Sequence, residues 1–300
     1  MWDAAVDAAA GAAPGWLVLG VVLHLANQVA RGRGWHSVIG AACGHVRRRD
    51  AVAAWVAGAG AGGVFSARGG DAVRVLLMAR RQPDAGCSVL AGTVVAEGAG
   101  ELAVGLLLLG VAILVGVGPE LGAPPWMVVA GVAGLIVLFA LALRLPRVRR
   151  VARGVASGCV ALRDPRAYAR GVLPWQMVSR VCRFGALACF LAAFGLPATP
   201  AAVLLVMFTQ CSGRLLPFAP ASVGASVAIL AATFGPVTGT AVPTGQLAAF
   251  FLGTSTVLTV VGTVLSITIC LRTARWRDLV ETLRASRRRP APAPAPARAV

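Results

Sequence analysis

The sequence predicts an all-α integral membrane protein: a polytopic helical bundle of two pseudo-repeated halves, each with a re-entrant broken helix pair. Three observations predict it. Of 300 residues, 58% are hydrophobic and only 13% are charged, whereas a soluble domain carries roughly 25% charged residues, so the chain is too poor in charge to cover a water-facing surface. The apolar residues come in long runs: 102–116 and 126–143 are nearly free of polar side chains, and 247–271 carries only Ser and Thr. Each run is close to the roughly 20 residues that span a bilayer core. All 28 basic residues are arginine, and most fall in short segments between those runs, the pattern that orients cytoplasmic loops.

The net charge of +17 would suggest nucleic acid in a soluble protein. Here the positive-inside rule accounts for it, and no nucleic-acid partner is expected. Seven cysteines are scattered at 43, 87, 159, 182, 189, 211 and 270. They form no CxxC and no Cys/His cluster, so neither a disulfide framework, a metal site nor a cofactor is expected. The segment 1–15 carries Asp3 and Asp7 and no basic residue, unlike a signal peptide. The acidic start followed by Arg31, Arg33 and Arg47–Arg49 places the N-terminus outside and residues 31–50 in a basic cytoplasmic loop.

The first transmembrane half covers 16–145. Its first helix is expected over 16–30, with His24, Asn27 and Gln28 at helical spacing forming one polar stripe. An apolar, glycine-rich stretch follows at 51–67, then Arg68-Gly69-Gly70-Asp71-Ala72-Val73-Arg74, a short apolar stretch and Arg80-Arg81; a break is expected near 68–74. Helices are expected over 88–115 and 126–145. Residues 146–171 hold seven arginines against Asp164 alone and read as a basic cytoplasmic connector. The second half, 172–272, has helices near 173–194 and 246–271, with apolar stretches 201–216 and 222–234 around a break near 217–224. The tail, 273–300, is arginine-rich and then alternates Pro and Ala, and is expected to be cytoplasmic and polyproline-like.

The basic segments 31–50, 146–171 and 273–300 belong on one side, so an even number of crossings must separate each pair. That works if 51–81 enters the membrane and returns to the same side, and if 201–234 does likewise. Non-helical backbone at membrane depth is tolerated only where it is buried in protein or lines a polar cavity, and paired broken segments in two halves point to a transporter-type site.

The intramembrane charges are the candidate site. They are Arg68, Asp71 and Arg74 at the first break, with Gly70 between them; Glu97 and Glu101, four apart on one helix face; Arg180 and Arg183, three apart on another; and Arg214 before the second break. An arginine at the bilayer centre costs about 2.5–3.5 kcal/mol, so several together need partners or water. Five arginines against three acids favour an anion, and the planar guanidinium fork suits phosphate oxygens. Other readings are that these charges only brace the bundle, or lie at the cytoplasmic interface. His45 and Asp50 have the H-x4-D spacing of glycerolipid acyltransferases. No other signature of that chemistry follows, no HExxH, Walker A or GxSxG occurs, and no enzyme is expected.

On these residues the chain resembles the transmembrane, flippase-like domain of lysylphosphatidylglycerol synthases and their stand-alone bacterial and archaeal relatives, over roughly 16–272. Arg33-Gly34-Trp35 is similar to that family's Arg-Trp pair at the end of an early helix. Ala67-Arg68-Gly69-Gly70-Asp71-Ala72-Val73-Arg74 resembles its Pro-x-Arg-x-Gly-Glu-x-x-Arg element, with Asp for Glu. Glu97 and Glu101 look like its following acidic positions. Pro220-Ala221-Ser222-Val223-Gly224-Ala225-Ser226-Val227 keeps Pro220 and Gly224 of Pro-Gly-Gly-x-Gly-x-x-Glu and loses two glycines and the acid. The resemblance implies a multi-pass protein of the bacterial inner membrane, C-terminus cytoplasmic, that moves or binds anionic lipids or lipid-linked substrates, without the synthase domain. The leading hypothesis is a lipid translocase in which Arg68 and Arg74 would engage the phosphate, Asp71 would orient them, and Glu97 and Glu101 would balance the cavity. The alternatives are a non-transporting membrane partner that scaffolds an envelope-synthesis enzyme and, more remotely, a membrane acyltransferase.

Overall fold

The computed structural model describes residues 11–64, 67–114, 153–213 and 219–273. Every regular element among them is helical. The expected helix at 126–145, most of the N-terminal segment, residues 146–152 of the connector and the tail beyond Thr273 lie outside the described residues.

Helix α1, Pro14–Cys43, has 30 residues and a proline in its first turn, where the fixed φ suits helix entry. It closes at Gly44, whose φ of +79° lets its N–H reach Gly40 O at 3.1 Å. The helix runs 13 residues past the expected 16–30, because the Arg31-Gly32-Arg33-Gly34 stretch is a packing surface and not a loop. A Cβ on Gly32 would stand 2.8 Å from Val52 Cα, so the glycine is what lets the next helix approach.

That next helix, α2, Arg48–Val64, and α3, Ala67–Arg81, pack side by side as a hairpin. Their outer ends meet where Arg81 Nε lies 3.9 Å from Asp50 Oδ1 and Gln82 Nε2 donates to His45 O at 3.0 Å. Residues 68–74 form the first two turns of α3; the helices part between Val64 and Ala67, just before the expected break. Helix α4, Cys87–Leu114, follows. The described part of the connector is folded: a helical turn at 153–158, a 3-10 turn Cys159–Arg163, and α5, Pro165–Gly171. Asp164 caps α5 by accepting from the N–H groups of Arg166 and Ala167, both at 3.0 Å.

Helix α6, Leu173–Ala193, continues almost directly from α5. Helices α7, Pro200–Gly213, and α8, Ala219–Thr238, pack as a second hairpin, and α9, Thr244–Thr273, ends the described chain. Pro220 is the second residue of α8, a position where proline starts a helix without removing a needed donor; the described part of the stretch 217–224, residues 219–224, is helical.

Pairing contacts fix the directions. Trp35 Nε1 donates to Thr93 Oγ1 at 3.0 Å, so α4 runs antiparallel to α1. Ala13 N bonds Ala193 O at 2.9 Å and Ser179 bonds Asn27, so α6 does too. Ser266 Oγ donates to Ala57 O at 2.8 Å and Gln246 Nε2 to Phe194 O at 2.9 Å, so α9 descends from the Ala193 end alongside α2. Cys43, Arg48, Arg81, Gly171 and Thr273 thus share one end, called here the basic end. The α2–α3 hairpin opens toward it, while α7–α8 opens toward the other. The tip of the first hairpin stops short of that other end: Gly63 lies against Thr259, midway along α9.

Two apolar cores result. Trp35, Ile39, Trp55, Met78 and Leu90 form one near the basic end; Phe190, Phe194, Leu230, Phe234 and Phe250 form the other. Two stretches, Pro165–Ala193 and Thr244–Arg272, are long and apolar enough to cross a membrane, and α9 presents Val260, Val264, Ile267 and Leu271 outward.

Candidate functional site

Between the two cores lies a buried polar layer, written by one spacing used twice. Helix α1 carries His24, Asn27, Gln28 and Arg31; α6 carries Gln176, Ser179, Arg180 and Arg183. Both sets follow i, i+3, i+4, i+7, which lays four side chains along one helical face. Because the helices are antiparallel, the two stripes face each other, joined where Ser179 Oγ donates to Asn27 Oδ1 at 2.6 Å.

The lower half of the layer is an ion cluster. Arg31 Nη2 lies 3.2 and 3.3 Å from the two carboxylate oxygens of Glu97 and also bonds Glu101 Oε2. Gln176 Nε2 donates to Glu97 Oε1 at 2.8 Å. Glu97 is 1% exposed, so these partners take the place of water around its charge. Glu101, one turn on, is shared: Arg180 Nη2 is 3.5 Å from its carboxylate and donates to its backbone carbonyl at 3.0 Å. Arg183, a further turn along α6, donates to Gln210 Oε1 on α7 at 3.0 Å.

The first hairpin closes the cluster from the side. Trp55 of α2 donates its Nε1–H to Gln28 Oε1 at 3.1 Å. Its ring holds the guanidinium of Arg74 at 4.0 Å and that of Arg31 at 4.8 Å from the centroid. Arg74 also lies 5.7 Å from the Trp35 ring and pairs with Asp71 at 2.9 Å, one turn earlier on α3. A cation over an indole face gains about 0.5–2 kcal/mol, more when dry, so one tryptophan positions two arginines.

The cluster is deep. Arg31 stands 12 residues before Cys43, about 18 Å along the helix axis. Its donors exceed its acceptors. The Nε atoms of Arg31, Arg74 and Arg180 are buried and have no hydrogen-bond partner among the described residues. A buried unsatisfied donor on a charged group costs more than the usual 1–3 kcal/mol.

Of the residues singled out from sequence, Asp71, Arg74, Glu97, Glu101, Arg180 and Arg183 come together here. Gly70 is buried on α3, one turn before Arg74. Arg68 is in the first turn of α3, and Pro220 and Gly224 are in the first turns of α8. Arg214 lies outside the described residues. Sequence reasoning missed Arg31 as a site residue, and with it Trp55, Gln176 and Gln210. Arg31 had a signal: it extends the His24–Asn27–Gln28 stripe by one more turn.

Residues 2–266 match the family model described as the lysylphosphatidylglycerol synthase TM region. The chain belongs to this family. No curated protein and no solved structure matched it. Membership agrees with the apolar helices: this is an integral membrane protein with transmembrane helices, of a family related to lipid handling. Helix α6, which carries half of the polar layer, lies in one of the stretches long and apolar enough to span, and ionisable groups in such segments are rare and usually functional.

Proposed function

We propose that the chain binds the anionic headgroup of a lipid or lipid-linked substrate at the Arg31–Arg74–Arg180 cluster and carries it across the bacterial inner membrane. The observation that supports this most is the surplus of buried guanidinium donors: the Nε–H groups of Arg31, Arg74 and Arg180 have no hydrogen-bond partner among the described residues. The carboxylates of Glu97 and Glu101 occupy the other edges of Arg31 and Arg180. A phosphate offers oxygens in the same planar geometry, so a headgroup enters by exchange, taking arginine contacts that the glutamates release. Glu97 and Glu101 then hold the empty cluster together and compete with the cargo, which keeps binding reversible.

In this reading the two hairpins are re-entrant and enter from opposite faces, as in inverted-repeat transporters, and the matched stripes of α1 and α6 are the contact between the halves. The basic end is cytoplasmic, with the N-terminus outside and the C-terminus inside. No covalent step is assigned, and His45 and Asp50 stay part of a basic loop and helix start; Asp50 turns toward Arg81.

Leaflet exchange of fluorescent phosphatidylglycerol in proteoliposomes tests the proposal. Arg31→Lys and Arg180→Lys keep the charge and lose the fork. The double variant is expected to slow exchange by about tenfold or more, the loss of one or two charge-assisted hydrogen bonds. Exchange at the wild-type rate sinks the residue assignment. No exchange by the wild-type protein, together with a stably co-purifying envelope-synthesis enzyme, favours the scaffold instead.

A further inference from the structure

A second basic feature lies apart from the central cluster, on the outer surface where α1, α2 and α9 meet. A shallow cleft, open to the outside, lies there. Its walls are Val29 of α1, Val52, Ala53 and Val56 of α2, and Ile269 of α9; Arg33, Arg48 and Arg49 complete the lining. From Arg48 to Val56, α2 climbs eight residues, about 12 Å, so charge sits at the basic end of the cleft and apolar surface rises from it. No acid is among the lining residues. Asp50, the nearest in sequence, turns instead to Arg81. Arg33 has one guanidinium face stacked at 5.0 Å on Trp175, which fixes the group and leaves its N–H edge to bind.

We infer that this cleft holds one anionic phospholipid of the basic-end leaflet, its phosphate on Arg33, Arg48 and Arg49 and one acyl chain along Val52, Val56 and Ile269. Charge complementarity selects this occupant. The segment that follows Thr273 is a poor one, because residues 274–300 contain seven arginines against two acids and would meet three more. The site does not depend on the translocation reading: it needs only membrane placement and could anchor the protein to anionic lipid or feed the central cluster.

Native mass spectrometry of the full-length protein in micelles, with phosphatidylglycerol or phosphatidylcholine added at equal concentration, decides it. The wild type is expected to keep a phosphatidylglycerol adduct and not the zwitterionic one. Arg48→Ala/Arg49→Ala, at exposed positions, is expected to lower that adduct by about tenfold. Val56→Trp, which fills the cleft and keeps all three arginines, is expected to lower it as well. Equal retention of both lipids by the wild type overturns the inference. So does an adduct undiminished in either variant, since then the arginines or the cleft play no part. Arg31→Lys separates the two proposals: adducts retained while leaflet exchange fails leave the cleft standing and remove only translocation.

Discussion

At the scale of single residues, the pair to weigh is Arg31 and Glu97. Each alone would be expensive at this depth, and together they are tolerated because each neutralises the other. Their surroundings are unequal. Without Glu97, Arg31 still has Glu101; without Arg31, the hydrogen-bond partner left to Glu97 among the described residues is the neutral Gln176 amide, and Glu97 is 1% exposed. Removing one partner of a buried pair costs about 3–5 kcal/mol, whereas replacing both by apolar residues is often close to neutral. Arg31→Leu is therefore expected to destabilise more than Glu97→Gln, which keeps an acceptor for Gln176. The double change Arg31→Leu/Glu97→Leu is expected to be less damaging than Arg31→Leu alone. Unfolding of the purified protein in mixed micelles, followed by circular dichroism, ranks the three. If the double variant instead sums the two single losses, the pair is not coupled, and its role in holding α1 to α4 fails with it.

At the scale of elements, the first hairpin is docked through contacts that have no room for a side chain. A Cβ on Gly60 of α2 would meet the carbonyl of Gly262 on α9, and one on Gly262 would stand 3.0 Å from Gly60 Cα; Ser266 fastens the same crossing to Ala57 O. Gly60→Leu is expected to cost at least about 1–3 kcal/mol by overpacking and to free the hairpin locally. Hydrogen exchange over 48–81 should then rise while the α1–α6 core keeps its protection; unchanged exchange over 48–81 would show that the crossing does not hold the hairpin. These crossings also mark where sequence was readable. Apolar run length displayed the helices, and i, i+4 spacing displayed Glu97 with Glu101 and the polar stripe of α1. Arg-Gly-Arg-Gly at 31–34 reads locally as a loop, because glycine and charge both oppose a membrane helix. It is helical because Gly32 packs against Val52 and because Arg31 meets carboxylates 66 and 70 residues away. Nothing within a window around residue 31 carries that information. The α3 start shows the same limit: glycines at 69 and 70 suggest a break, yet both lie inside the helix.

At the scale of the whole molecule, the consequence is topological. The α2–α3 hairpin returns to the end it left, as the Asp50–Arg81 and His45–Gln82 contacts require, and α7–α8 does so at the opposite end. Basic residues follow the first end: Arg47–Arg49, Arg80, Arg81, Arg163, Arg166, Arg170 and Arg272 all cluster there, whereas 194–200 and 238–244 between α6, α7, α8 and α9 contain no charge at all. The bias toward arginine sets orientation, so the proposed topology puts the first end in the cytoplasm and the second outside. Cysteine scanning on a cysteine-free background tests both statements at once. Asp84→Cys, just after the first hairpin, and Arg163→Cys, in the connector, are expected to react with an impermeant maleimide only from the cytoplasmic side. Thr240→Cys, at the mouth of the second hairpin, is expected to react only from outside. Asp84 and Thr240 labelling from the same side would mean that one hairpin crosses the membrane fully. The stripes of α1 and α6 would then no longer lie between two oppositely inserted hairpins, and the headgroup path proposed through Arg31 and Arg180 would lose its two-sided access.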